Sequence, residues 1–170
     1  DFEEDDGGFT HELLDGRDQE GADDWMRGSP IGYGGDPDFA YSGDFVWGND
    51  LGGEINGENY NGEYQNEKWN RLSTPELEVG SYDKVVVKYQ RWLSVEDGYY
   101  DQAVIHANDV EIWTNHASRQ NVGDEHHRDD QWSPHALLVN MAGAESLAIS
   151  WDIVSDQGLT MGGWNIDDFC

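Results

Sequence analysis

Apolar and polar residues alternate with a period of two over several separate stretches of the chain, the signature of strands with one face turned inward. The clearest is KVVVKYQRWLSV (Lys84–Val95). Val85, Val87, Tyr89, Arg91 and Leu93 fall on one face, and Val86, Lys88, Gln90 and Trp92 on the other. In ESLAISWDIV, Leu147, Ile149, Trp151 and Ile153 alternate with small or polar residues. DQAVIHAND and EIWTN meet at Asn108-Asp109, a tight-hairpin signal. WSPHALLVN and GGWNIDDF supply further closing strands. Earlier strands are expected at Asp1–Glu4, at Phe9–Leu14, in DDWMRGSP and in the first half of AYSGDFVWGNDLGG. RLSTPELEVG carries a central proline, which predicts an edge or bulged strand. Two polar stretches, Gly53–Asn70 and SRQNVGDEHHRDDQ, read as long loops. Roughly ten short strands, separated by turns and almost without helix, predict an all-β jelly-roll β-sandwich forming a single domain over residues 1–170.

Composition supports one core. Eight Trp, eight Tyr and five Phe in 170 residues make up for few aliphatic side chains. Trp47, Trp92, Trp132, Trp151 and Trp164 are expected to fill that core. Charge then narrows the partners. With 36 acidic and 9 basic residues the net charge is −27, so nucleic acid is excluded for want of a positive footprint. Anionic membrane surfaces are disfavoured for the same reason, and no apolar run is long enough for membrane insertion. A surface adapted to salt and a cation-binding protein both remain. The lone Cys170 rules out an intrachain disulfide framework.

Candidate chemistry gathers at the two ends. The chain starts DFEED and ends NIDDFC, and termini that meet would bring Asp1, Glu3, Asp167 and Asp168 together. Crowded carboxylates favour a neutralising cation, and an all-oxygen donor set suits calcium. Solvated surface acids and a catalytic carboxylate pair are the alternatives. Strand alternation allows only one of Asp167 and Asp168 to point inward. His126-His127, among Glu125, Asp129 and Asp130, lack a metal-site spacing such as HExxH and read as a solvated loop. Ser42 does not sit in a G-x-S-x-G elbow, and no phosphate loop is present. Tyr60, Tyr64 and Trp69 in the polar insertion, and Tyr99 and Tyr100 at another turn, are candidate stacking surfaces for sugars.

DFE, DDWMRGSP, AYSGDFVWGNDLGG, NRLSTPELEV, VKYQRWLSVEDGYYDQAVI, EIWTN and GGWNIDDF occur in that order across nearly the whole chain. Together they resemble the MAM-like jelly-roll module of bacterial secreted proteins, found with immune inhibitor A-type metallopeptidases. The resemblance implies a structural calcium between terminal segments and an internal loop. Carried over by residue, it implies Glu3 from the opening DFE, Asp168 from the closing IDD, and Ser42, Gly43 and Asp44 from the internal loop, with Asp38 a further candidate. It also implies a secreted or cell-surface location and a non-catalytic accessory role, binding carbohydrate or an extracellular protein. A subunit of an extracellular fibre or surface layer, self-assembling through edge strands, is a second expectation. A carboxylate-dependent glycosidase or lyase is the third.

Overall fold

The computed structural model describes residues 1–55 and 58–170; Asn56 and Gly57, inside the expected Gly53–Asn70 loop, lie outside them. The early strands are β1 (Thr10–Asp15), β2 (Trp25–Gly28), β3 (Val46–Asn49), β4 (Gly53–Ile55), β5 (Glu58–Tyr60), β6 (Trp69–Ser73) and β7 (Leu77–Glu78). They are followed by β8 (Lys84–Val95), β9 (Gln102–Ala107), β10 (Val110–Thr114), β11 (His127–Arg128), β12 (Ser133–Asn140), β13 (Ser146–Leu147), β14 (Ile149–Val154) and β15 (Gly163–Asp167). One sheet runs β1-β6-β14-β9-β10; the other runs β11-β8-β15-β3-β2, with β12 also on β8. All described pairings are antiparallel. The architecture is the expected all-β jelly-roll sandwich.

Each sheet turns its alternating apolar set toward the other. Leu72, Ile105, Ile149, Trp151 and Ile153 from the first sheet meet Leu93, Trp164 and Ile166 from the second, all fully buried. The predicted β8 alternation holds: Val87, Tyr89, Arg91 and Leu93 are buried, while Val86 and Lys88 are exposed. The Asn108-Asp109 hairpin also holds. Both residues have positive φ (48° and 63°), the backbone that a two-residue turn of matching twist requires.

Several expectations need correction. Asp1–Glu4 forms no strand. Phe2 is buried against Phe9, and Arg27 donates to the carbonyls of Phe2 (2.7 Å) and Glu3 (3.0 Å), so a side chain ties the segment down instead of a ladder. RLSTPELEVG is not a single strand. Pro75 lies outside any strand and splits the stretch into β6, an interior strand between β1 and β14, and the separate short β7. The expected loop Gly53–Asn70 contains the β4–β5 pair and the start of β6. The second polar loop contributes β11, and His127 within it is part-buried beside Arg91 and Asp129. Trp47, Trp151 and Trp164 are core residues, but Trp92 and Trp132 are only partly buried.

Those two indoles lie beneath a covering segment. Residues 30–45 cross the outer face of the second sheet between β2 and β3. Asp36 is buried there and accepts from Asn165 Nδ2 on β15. Burial first, opposed by the Asn165 hydrogen bond, pushes the Asp36 carboxyl well above the usual carboxylate range.

Candidate functional site

The two chain ends do converge, and the residues between β2 and β3 join them. Both Glu3 carboxylate oxygens accept backbone N–H groups, from Phe45 (2.9 Å) and Asp44 (3.0 Å). These bonds, Phe45 first, hold its carboxyl below the usual range. Gly43 has φ of 58°, and a Cβ there would collide with the Glu3 carboxylate, so only glycine lets the acid settle on this loop. From the other end, Asp167 Oδ2 accepts Ser42 N (2.9 Å) and its Oδ1 accepts Asp168 N (2.7 Å). Ser42 Oγ donates to Asp168 Oδ1 (2.8 Å). Asp1 lines a cavity together with Asp168 and Phe169.

Of the closing pair, Asp167 is fully buried, on the face of β15 opposite the core residues Trp164 and Ile166 and beneath Ser42 of the covering segment. Asp168 follows the strand with φ of 48° and is only partly covered. The loop at Ser42–Phe45 thus meets Glu3 from one chain end and Asp167 and Asp168 from the other. Both carboxylate oxygens of Glu3 and of Asp167 accept backbone N–H groups. The Asp38 and Asp44 side chains are exposed.

The sugar-stacking candidates separate. Tyr64 is buried, with its hydroxyl donating to Asp101 Oδ2 at 2.6 Å, so its ring offers no surface to a ligand. Trp69 donates from Nε1 to Asp152 Oδ2 at 2.8 Å on the outer face of the first sheet and is partly exposed. Tyr60 is partly buried in β5. Tyr99 and Tyr100 pack edge to face at 5.1 Å beyond the end of β8, with Tyr99 well exposed.

A larger aromatic surface lies on the covering segment. Phe39 and Tyr41 are 58% and 49% exposed. The Tyr41 and Trp132 rings are 6.4 Å apart, and the Trp132 and Trp92 rings 6.1 Å. Trp132 Nε1 donates to the Phe39 carbonyl (3.0 Å) and Trp92 Nε1 to the Gly35 carbonyl (2.8 Å). Each indole is therefore anchored at its polar edge while part of its surface meets solvent, an arrangement suited to ligands with flat apolar faces. Sequence reading missed Phe39 and Tyr41 and placed both tryptophans in the core. The available signal was two aromatic residues in GGDPDFAYSG, a Gly- and Asp-rich stretch without strand alternation.

No protein-family model matches the chain, and no curated protein matches it significantly. Among solved structures it is similar to the K1 cleaved adhesin domain of Lys-gingipain from Porphyromonas gingivalis. The identity is 14% and the TM-score 0.53, over 95% of this chain and 88% of that one. It is also similar to the K2 cleaved adhesin domain of Lys-gingipain, at 14% identity and TM-score 0.50 over 95% and 87% of the two chains. The C-terminal CBM6 of a laminarinase from Zobellia galactanivorans matches at 13% identity and TM-score 0.41, over 85% and 96%. At these identities the first two show the fold, a sandwich of the adhesin-domain type. Among the described residues, no helix is long and apolar enough to cross a membrane.

Proposed function

We propose that this chain is a non-catalytic, calcium-stabilised extracellular module of MAM-like type that binds carbohydrate or protein within a larger secreted or surface assembly. The observation that carries the reading is the anchored aromatic surface of Phe39, Tyr41, Trp92 and Trp132. Both indole N–H groups are spent on backbone carbonyls, so these rings lose little freedom when a ligand stacks on them. A flat pyranose face is the ligand chemistry such a surface suits. The adhesin-type fold and the names of the neighbouring structures, adhesin and carbohydrate-binding domains, agree with a binding role. Asp167 supports binding over hydrolysis, since it is buried beneath Ser42 and held by backbone donors.

A glycan array probed with and without calcium tests this directly: the intact chain is expected to retain a defined subset of polysaccharides. Tyr41→Ala, which removes an exposed ring and leaves the core untouched, should weaken that binding about tenfold or more. Undiminished binding by Tyr41→Ala would move the ligand site elsewhere.

Self-assembly through an edge strand is a second reading, favoured by one observation. Among the described residues β12 pairs only with β8, and its Leu138 and the partnered Val86 are 64% and 50% exposed, an apolar pair beside an edge unpaired among those residues. Sedimentation that stays monomeric at high concentration would remove it.

A further inference from the structure

At the opposite end of β15 from Asp167, three acids from two loops face one another. Glu96 follows β8, Asp101 precedes β9, and Asp156 opens the β14–β15 connection. One carboxylate oxygen from each lies within 4.8 Å of the other two. Glu96 is 8% exposed and Asp101 1%. Asp101 is held in place by two donors, the Tyr64 hydroxyl (2.6 Å) and Asp156 N (2.7 Å). Gly158 N donates to Asp156 Oδ1 at 2.6 Å.

Two features point to a missing partner. Glu96 Oε2 is buried and has no hydrogen-bond partner, although it belongs to a nine-tenths buried side chain directed at the other two acids. In addition, none of the ion pairs among the described residues includes Glu96, Asp101 or Asp156. Lys68, in the connection from β5 to β6, turns its Nζ to the carbonyls of Asn66 and Glu67. The backbone also leaves room. A Cβ at position 158 would come within 2.7 Å of Asp156 Oδ1 and 3.4 Å of Glu96 Oε2, so glycine keeps both carboxylates clear.

We propose that Glu96, Asp101 and Asp156 bind a hard divalent cation, calcium, with Tyr64 as the residue that positions Asp101. The assignment deepens the calcium part of the proposed function and places the ion at the loop end, where the buried Glu96 Oε2 has no partner, instead of at the chain termini. The donors are all oxygen, with no thiolate or imidazole in the group, which selects against zinc. Calcium tolerates irregular carboxylate geometry and completes its shell with carbonyls or water, whereas magnesium demands a near-ideal octahedron. Three carboxylates with oxygens this close repel one another. A bound cation relieves that crowding. It also ties the β8–β9 turn to the β14–β15 loop, so it stabilises the folded chain by mass action.

The test uses the intact chain stripped with chelator and then titrated with calcium chloride, followed by thermal melting. Terbium(III) luminescence, sensitised by Tyr64 beside the site, gives a second readout that involves no glycan and so fails independently of the ligand reading. Calcium at about a hundredfold excess over its Kd should raise the melting temperature on the order of 5–10 °C. Glu96→Gln and Asp156→Asn should abolish both the rise and the terbium emission, and Asp168→Asn should keep both. In chelator, Glu96→Gln should melt at or above the unsubstituted chain, because it loses a like-charge contact; that also shows it folded. Absence of any calcium response overturns the proposal. So does a response that survives Glu96→Gln, or one lost in Asp168→Asn while Glu96→Gln retains it.

Discussion

Asp97→Ala should destabilise the chain by about 4 kcal/mol or more, a lowering of the melting temperature by roughly 8–16 °C for a domain of this size. Asp97 is fully buried at the loop end, and its two oxygens organise three separate stretches. Oδ1 accepts Tyr99 N (3.0 Å) and Ser118 N (2.8 Å). Oδ2 accepts Gly123 N (3.0 Å), Glu125 N (3.1 Å) and the Ser118 hydroxyl. Burial alone would raise this carboxyl. The backbone donors, Ser118 first, outweigh it and hold the group at about 2. Removing the acceptor strands four backbone N–H groups, and a stranded buried donor costs more than the bond contributed. Asp97→Asn keeps one acceptor oxygen and should lose about half as much. Calorimetry on the three proteins decides this; a shift under about 2 °C for Asp97→Ala would show that the loop holds itself without the acid.

The second large effect belongs to the ion pair inside the second sheet. Arg91 projects from β8 toward the core, where a cation without a partner would be untenable. Asp129 turns in at the break between β11 and β12 and accepts Arg91 Nε (2.9 Å) and an Arg91 terminal nitrogen (3.1 Å). It also accepts Leu93 N at 3.0 Å and meets His127 Nε2 at 3.1 Å. The guanidinium lies 5.2 Å from the Trp113 ring centre. Asp129→Ala leaves the charge buried alone and should cost about 3–5 kcal/mol. Replacing both partners, Arg91→Met with Asp129→Leu, should recover much of that loss, because an apolar pair needs no counter-charge. An additive double variant would contradict the account.

The same pair predicts acid sensitivity. Burial opposes ionisation of Asp129, but the hydrogen bonds from His127 and Arg91 prevail and lower its pKa. A carboxyl lowered on folding contributes stability that is fully present above its unfolded pKa, about 3.9, and is lost as pH falls through the lower folded value. Denaturant midpoints should therefore fall below about pH 4 in the unsubstituted chain, with a shallower decline in the double variant.

Strand periodicity made much of the fold legible, because a buried face imposes a two-residue rhythm that leaves a mark in the sequence. The predicted stretch Lys84–Val95 coincides with β8, and residue type alone marked the Asn108-Asp109 turn. Interior position in a sheet leaves a weaker mark. Pro75 correctly signalled an interruption, but it could not show that β6 would lie between β1 and β14. Trp92 was misread as core because a tryptophan on a strand has the same composition whether the facing layer is another sheet or a covering loop. The site was harder still. Convergence of DFEED with NIDDF could be inferred, since both ends carry acids. Which hydrogen-bond donors would occupy those acids could not, because the donors are backbone N–H groups set by the turn at Gly43. Glu96, Asp101 and Asp156 come together only through pairing between distant strands. In a chain with 36 acids, no spacing singles them out.

The central claim is that the anchored aromatic surface, and not the tyrosine pair beyond β8, meets the ligand. Calorimetric titration of the strongest glycan from the array into the unsubstituted chain, Tyr41→Ala and Tyr99→Ala tests it most directly. The account predicts affinity reduced about tenfold or more by Tyr41→Ala and unchanged by Tyr99→Ala, with all three proteins melting together. The reverse order of effects, or no heat of binding from the unsubstituted chain, would contradict it.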